Sequence, residues 1–269
     1  MAPQNDMASW WQLPQRLGRW HENRQLARHA IPDRLWASTL VRFAFLARRP
    51  AADAAELRRL SALFLARKEF TAVGGLRLTD AMAVAVAAQA CLPVLRFGLD
   101  SYDDFVGIVL HPDAVVAQRE WTDDIGVVHR GTETLAGEAM DRGPVMLSWR
   151  DVAAGGRSAR WGYNVVVHEF AHVFDLHHRL TRDAARRGGD DWRARLQIEY
   201  ERFRAAVAAG EETLLDPYGG QSPAEFFAVA AEAFFVLSRT LAESQPSLYA
   251  VLRDCFRQDP ASDAEAVGA

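Results

Sequence analysis

His168 and His172 stand four residues apart in the segment Asn164-Val165-Val166-Val167-His168-Glu169-Phe170-Ala171-His172-Val173-Phe174. On a helix that spacing stacks two imidazoles on one face, one turn apart. Two ring nitrogens so placed can reach one ion at about 2.0–2.1 Å, the distance expected for zinc. Glu169 is rotated about 100° from His168 on the same helix. It therefore stays off the metal but close to a water bound there, where a carboxylate can act as general base. The flanks are apolar, and burying a His-Glu-His cluster among them is costly unless those groups have partners. The pattern predicts a zinc site with one position open for chemistry.

Such a site needs a third protein ligand. His178 follows His172 by six residues, the spacing of the metzincin pattern HExxHxxGxxH. Asp175 replaces the glycine of that pattern, and all five methionines precede the motif, leaving none for the turn that it requires. Asp175 itself lies two turns from His168, about 10 Å along the helix, and suits at most a supporting role. The alternative is a glutamate on a later helix. Ser222-Pro223-Ala224-Glu225 opens one, with Ser222 fit to cap it and Pro223 suited to its first turn. Glu232, seven residues on, shares that face. One of these carboxylates can ligate, while the other can orient a ligand histidine through its second ring N–H. Spacing alone leaves open which does which.

The elements that must position these groups are legible in outline. Apolar residues at helical spacing predict helices over 33–48 and 52–68. Gly74-Gly75 ends this pattern, and Thr79 caps a third helix to about Ala90. Strand-like runs follow at 105–110, 125–129 and 144–152. Helical pattern returns at 163–176, 191–208, 222–237 and 246–256. The expected fold class is α+β, a small mixed sheet flanked by helices. Residues 1–30 read as an arm or irregular segment, 31–257 as a single domain and 258–269 as a flexible tail.

Composition narrows the partners. With 49% hydrophobic residues in 269, the chain can bury a substantial core in one unit. Its 31 basic and 35 acidic residues give a net charge of −4, which argues against a nucleic-acid partner. The first twenty residues lack the basic start and apolar core of a secretory signal. Residues 81–95 are too few and too alanine-rich to span a membrane. A cytoplasmic setting without membrane contact is expected. Cys91 and Cys255 form no CxxC pair and read as buried reduced thiols. His111 and His129 read as structural, His177 as solvent-facing, and the Arg179, Arg182, Arg186 and Arg187 cluster as a solvated loop.

At these residues the chain resembles the MtfA (Mlc titration factor A) family, bacterial proteins with a gluzincin-type peptidase site. The resemblance runs from about residue 55 to 257. Its blocks are Leu92-Pro93-Val94-Leu95 with Gly98-Leu99, the segment 120–129, and Gly143-Pro144-Val145. The HEFAH motif with Asp175 follows, and then Pro223-Ala224-Glu225 with Phe227-Ala228-Val229 and Glu232. The resemblance implies a zincin-like fold with zinc held by His168, His172 and Glu225, and Glu169 as catalytic base. It implies hydrolysis of a peptide or protein substrate, with aminopeptidase activity as one form. It also implies an alternative, a binding protein that sequesters a glucose-responsive transcriptional repressor. The site is similar, too, to that of the anthrax lethal factor peptidase domain, where a tyrosine precedes the ligand glutamate by seven residues. That position is Tyr218 here, and its phenol is expected to stabilise an oxyanion. By the same analogy the strand 145–149 is expected at a sheet edge, where extended substrate pairs.

Overall fold

The computed structural model describes residues 22, 24–113, 115–122, 128–135, 137–139, 143–180 and 192–262. The amino-terminal helices are α1 (Asp33–Arg42), α2 (Ala44–Ala47) and α3 (Ala51–Arg67), followed by strand β1 (Glu69–Ala72) and helix α4 (Asp80–Ala90). The strands β2 (Gly107–His111), β3 (Val115–Thr122), β4 (Val128–Leu135), β5 (Gly137–Ala139) and β6 (Val145–Ser148) come next. The rest is helical: α5 (Trp149–Ser158), α6 (Val165–Leu180), α7 (Trp192–Ala208), α8 (Pro223–Val236), α9 (Ser238–Ser244) and α10 (Pro246–Phe256). The fold is α+β, as expected.

The sheet is small and mixed, in the order β1-β2-β6-β5. β1, β2 and β6 run parallel, with Phe70 opposite Ile108 and Ile108 opposite Val145. β5 pairs antiparallel with β6, placing Gly137 opposite Leu147. β3 and β4 form a separate antiparallel pair. The strand expected at the sheet edge is therefore an interior one, and β5 holds the edge. It is also shorter than expected. Ser148 Oγ accepts the Asp151 backbone N–H at 3.3 Å, which caps α5 and turns the chain helical at Trp149. Of the segment 125–129, residues 125–127 lie outside the described residues, and Val128 and His129 open β4.

The helix expected over 33–48 breaks at Phe43, where φ is −118° and ψ is 74°. The break turns the Phe43 ring into the core, where it is fully buried. It also brings the Arg42 carbonyl against α5. A Cβ at Gly156 would stand 2.0 Å from that oxygen, so only glycine permits the approach.

Phe170 fixes α6 over the core. Its ring meets Phe64 and Phe105 at 5.6 Å and Tyr102 at 5.1 Å. Phe174, one turn on, meets Phe256 of α10 at 5.2 Å. Each such burial stabilises the fold by about 1.5–3 kcal/mol before the cost of ordering the chain. Cys91 and Cys255 are buried free thiols.

The ends are more structured than the sequence suggests. Residues 24–28 are helical, and Leu26 packs on the core. Gln258 is buried, accepts from Arg49 Nη1 at 3.0 Å and donates to the Leu92 carbonyl at 2.8 Å. The segment expected as a flexible tail thus begins with an anchor. No described helix is long and apolar enough to cross a membrane.

Candidate metal centre

α6 begins where Asn164 caps it. The Asn164 Oδ1 accepts the Val167 backbone N–H at 3.0 Å, satisfying one of the free donors of the first turn. From that start the face carrying His168 and His172 turns toward α8. The two Nε2 atoms lie 3.2 Å apart. Ser222 Oγ caps α8 by accepting the Glu225 N–H at 3.1 Å. Glu225 Oε2 then lies 3.2 Å from His168 Nε2 and 3.5 Å from His172 Nε2. Bonds of about 2.0–2.1 Å in a tetrahedral site set neighbouring ligand atoms about 3.3–3.4 Å apart. The three spacings are edges of such a tetrahedron. Two imidazoles and one carboxylate also form the donor set that suits zinc. Among the described residues these three make a group able to hold a metal ion.

Glu232 stands two turns along α8 on the same side. Its Oε1 lies 2.7 Å from His168 Nδ1, and its Oε2 accepts the Asn164 backbone N–H. Glu169 faces away from this triangle, 3% exposed, into a cavity of about 170 Å³ that His168 and Tyr218 also line. Tyr218 sits on a 3-10 turn (Pro217–Gly220) whose first N–H groups are capped by Asp216. Its ring centre lies 6.3 Å from that of His168, and 42% of the residue is exposed.

The family described as glucose-regulated metallo-peptidase M90 matches residues 17–257. The chain belongs to this family. Mlc titration factor A of Pectobacterium atrosepticum is 33% identical over 216 residues, covering 76% of this chain and 80% of that protein. The Edwardsiella ictaluri protein of the same name is 35% identical over 220 residues, covering 76% and 81%. An uncharacterized protein of Synechocystis sp. is 31% identical over 255 residues, covering 93% and 92%. The likeness to Mlc titration factor A expected from the sequence is thus that of an M90 family member.

The other candidates are held elsewhere in this M90 chain. His178 bonds the Phe174 carbonyl through Nδ1 at 2.9 Å and stacks on the Phe174 ring at 4.0 Å. Asp175 is buried against Arg193 at 2.8 Å. His177, expected to face solvent, pairs with Asp104 at 2.9 Å and is largely covered. His111 Nε2 is buried without a hydrogen-bond partner among the described residues. The His129 side chain and the arginines 179, 182, 186 and 187 lie outside the described positions.

Burial and neighbouring charge set the protonation of the cluster. Burial pushes the Glu169 carboxyl up to about 7, against the two imidazoles, which lower it. Burial alone would depress His168, but hydrogen bonds to Glu225 and Glu232 reverse this and raise it to about 10. Burial opposes ionisation of Glu225 as well, and the His168 and His172 rings outweigh it, bringing the carboxyl down to about 2.

Sequence reasoning missed two residues that hold the site. Asn164 Nδ2 donates to Gln89 Oε1 at 2.7 Å, and Gln89 Nε2 donates to the Ala85 carbonyl at 2.8 Å. Both residues are at most 1% exposed. This link runs from α4 through the cap of α6 to Glu232. An asparagine before an apolar run is a cap signal, and a lone glutamine in an alanine-rich helix signals a buried partner.

Proposed function

We propose that this protein is a zinc-dependent peptidase in which His168, His172 and Glu225 hold the ion. The observation that carries the reading is the tetrahedral spacing of those three ligand atoms, with the buried Glu169 carboxylate beside the triangle and outside it. When bound, zinc polarises the scissile carbonyl and acidifies a water molecule. Glu169 takes the proton of that water and later hands it to the leaving amine. A carboxyl poised near 7 is matched to both transfers. Glu232 accepts the Nδ1–H of His168, which leaves the Nε2 lone pair turned to the ligand triangle. The Tyr218 phenol donates to the developing oxyanion. The β5 edge, antiparallel to its neighbour, offers the backbone groups that an extended peptide would pair with. A cytoplasmic setting belongs to the same reading.

The test is zinc content and peptide hydrolysis of wild type and Glu169→Gln. Equal zinc with hydrolysis lowered about 10²–10⁴-fold is expected. Equal hydrolysis in both proteins refutes the mechanism, and failure to bind zinc refutes the site.

A second reading rests on the name of the relatives, Mlc titration factor A. On that reading the chain docks a transcriptional repressor and the metal centre is secondary. Co-purification of Glu169→Gln with such a repressor, at the affinity of wild type, would separate docking from hydrolysis.

A further inference from the structure

The cavity beside Glu169 has more in it than the reaction uses. It opens from His168 and Glu169 toward a floor of Val165, Leu215, Val229 and Ala233, each at most 5% exposed. Its mouth carries Trp161, Tyr163 and Tyr218, three of the few large hydrophobic side chains exposed among the described residues. Trp161 is 73% exposed and held at the tip of a 3-10 turn (Ala159–Trp161), with the Arg160 guanidinium 5.1 Å from its ring centre. Gly162 ends that turn at φ +78°, a conformation that suits glycine. Leu214 closes the opposite side. Solvent-exposed aromatics gathered on one apolar hollow mark a binding surface rather than ordinary exposure.

We infer that this hollow is the specificity pocket for the substrate residue that carries the leaving nitrogen, and that it takes a large apolar side chain such as Leu or Phe. The inference rests on the peptidase reading. Side is decided by Glu169. The group that returns a proton to the leaving amine must lie by that nitrogen, and Glu169 and His168 line this hollow while His172 and Glu225 do not. Chemistry is decided by the walls. The floor is aliphatic, no Lys or Arg lines the hollow among the described residues, and Asp216 at the rim disfavours an acidic side chain. Size agrees as well. The volume is about 170 Å³, and an apolar cavity of about 150 Å³ holds a benzene ring.

The experiment uses the zinc-loaded full chain. A mixed peptide library first gives a cleaved sequence, and a matched series then varies only the residue after the scissile bond through Leu, Phe, Ala, Asp and Lys. Leu and Phe are expected to exceed Ala, Asp and Lys by about tenfold or more in kcat/KM. Trp161→Ala and Leu214→Ala, both at the solvent-facing walls, are expected to bring the Leu-to-Ala ratio toward one. A flat series, a preference for Lys, or selectivity set only by the residue before the bond overturns the pocket while leaving the peptidase reading intact. Absence of cleavage of any library member by zinc-loaded protein overturns both. Unchanged ratios in both variants, with wild type selective, place the specificity elsewhere.

Discussion

Glu232 Oε1 lies 2.7 Å from Nδ1 of His168, and the other oxygen of the same carboxylate receives the backbone N–H of Asn164. One buried side chain therefore fixes both the ring that faces the ligand triangle and the first turn of the helix that carries it. Glu232→Gln keeps the shape and one acceptor but loses the charge that draws the Nδ1 proton. Zinc affinity is expected to fall about 10–100-fold, read by competition with a chromogenic chelator. Glu232→Ala also strands the Asn164 N–H and should lower stability by a further ~1–3 kcal/mol in denaturant unfolding. Wild-type affinity in Glu232→Gln would remove its orienting role.

Zinc binding should depend on pH in a direction set by His168. In the metal-free protein its pKa of about 10 lies above the ordinary value near 6.5, so the ring keeps its proton at neutral pH. A metal ligand must give that proton up. Affinity therefore rises with pH, by about tenfold per unit from this single proton until pH approaches about 10. The same raised pKa contributes stability to the metal-free fold that is complete below about pH 6.5 and lost as pH climbs through about 10. Calorimetric titration in two buffers of different ionisation enthalpy would count the released proton. A zinc affinity independent of pH between about 6 and 9 would contradict this coupling.

Tyr218 is expected to act in the transition state rather than in binding. Tyr218→Phe keeps the ring by His168 and removes only the donor. A drop in kcat of about 10–10³-fold with KM nearly unchanged is expected. Unaltered kcat would make Tyr218 a surface residue of its turn.

Phe170 touches three rings from α3 and from the connection leading into β2, so its loss is felt beneath the site. Phe170→Ala should cost about 3–5 kcal/mol in denaturant unfolding. Because the residue follows Glu169, a slackened α6 should also weaken zinc retention at temperatures well below the unfolding midpoint. Stability within ~1 kcal/mol of wild type would show that the aromatic cluster closes over the gap.

What could be read in advance was written locally. Thr79 accepts the Met82 N–H and Ser222 that of Glu225, both anticipated as caps from residue type and position. The four-residue and seven-residue spacings placed His168 with His172 and Glu225 with Glu232 on common faces, because helix geometry turns spacing directly into direction. What stayed hidden depends on partners far along the chain. The break at Phe43 answers to Gly156 on α5, and the burial of His177 answers to Asp104. β1 is four residues long, too short to show alternation. The interior place of β6 follows only from its two neighbours. The Gln89–Asn164 bond joins residues 75 positions apart, and neither residue announces the other.

The arrangement of α8 also sets which changes of length the chain can absorb. Glu225 and Glu232 approach the same imidazole from one continuous helix. Inserting or deleting a single residue between them would swing one carboxylate about 100° around the axis and shift it by about 1.5 Å along it. Point substitutions there can be repacked one at a time, whereas a frame slip would disconnect two functions at once. The interval 225–232 should therefore vary in residue type across homologues and never in length.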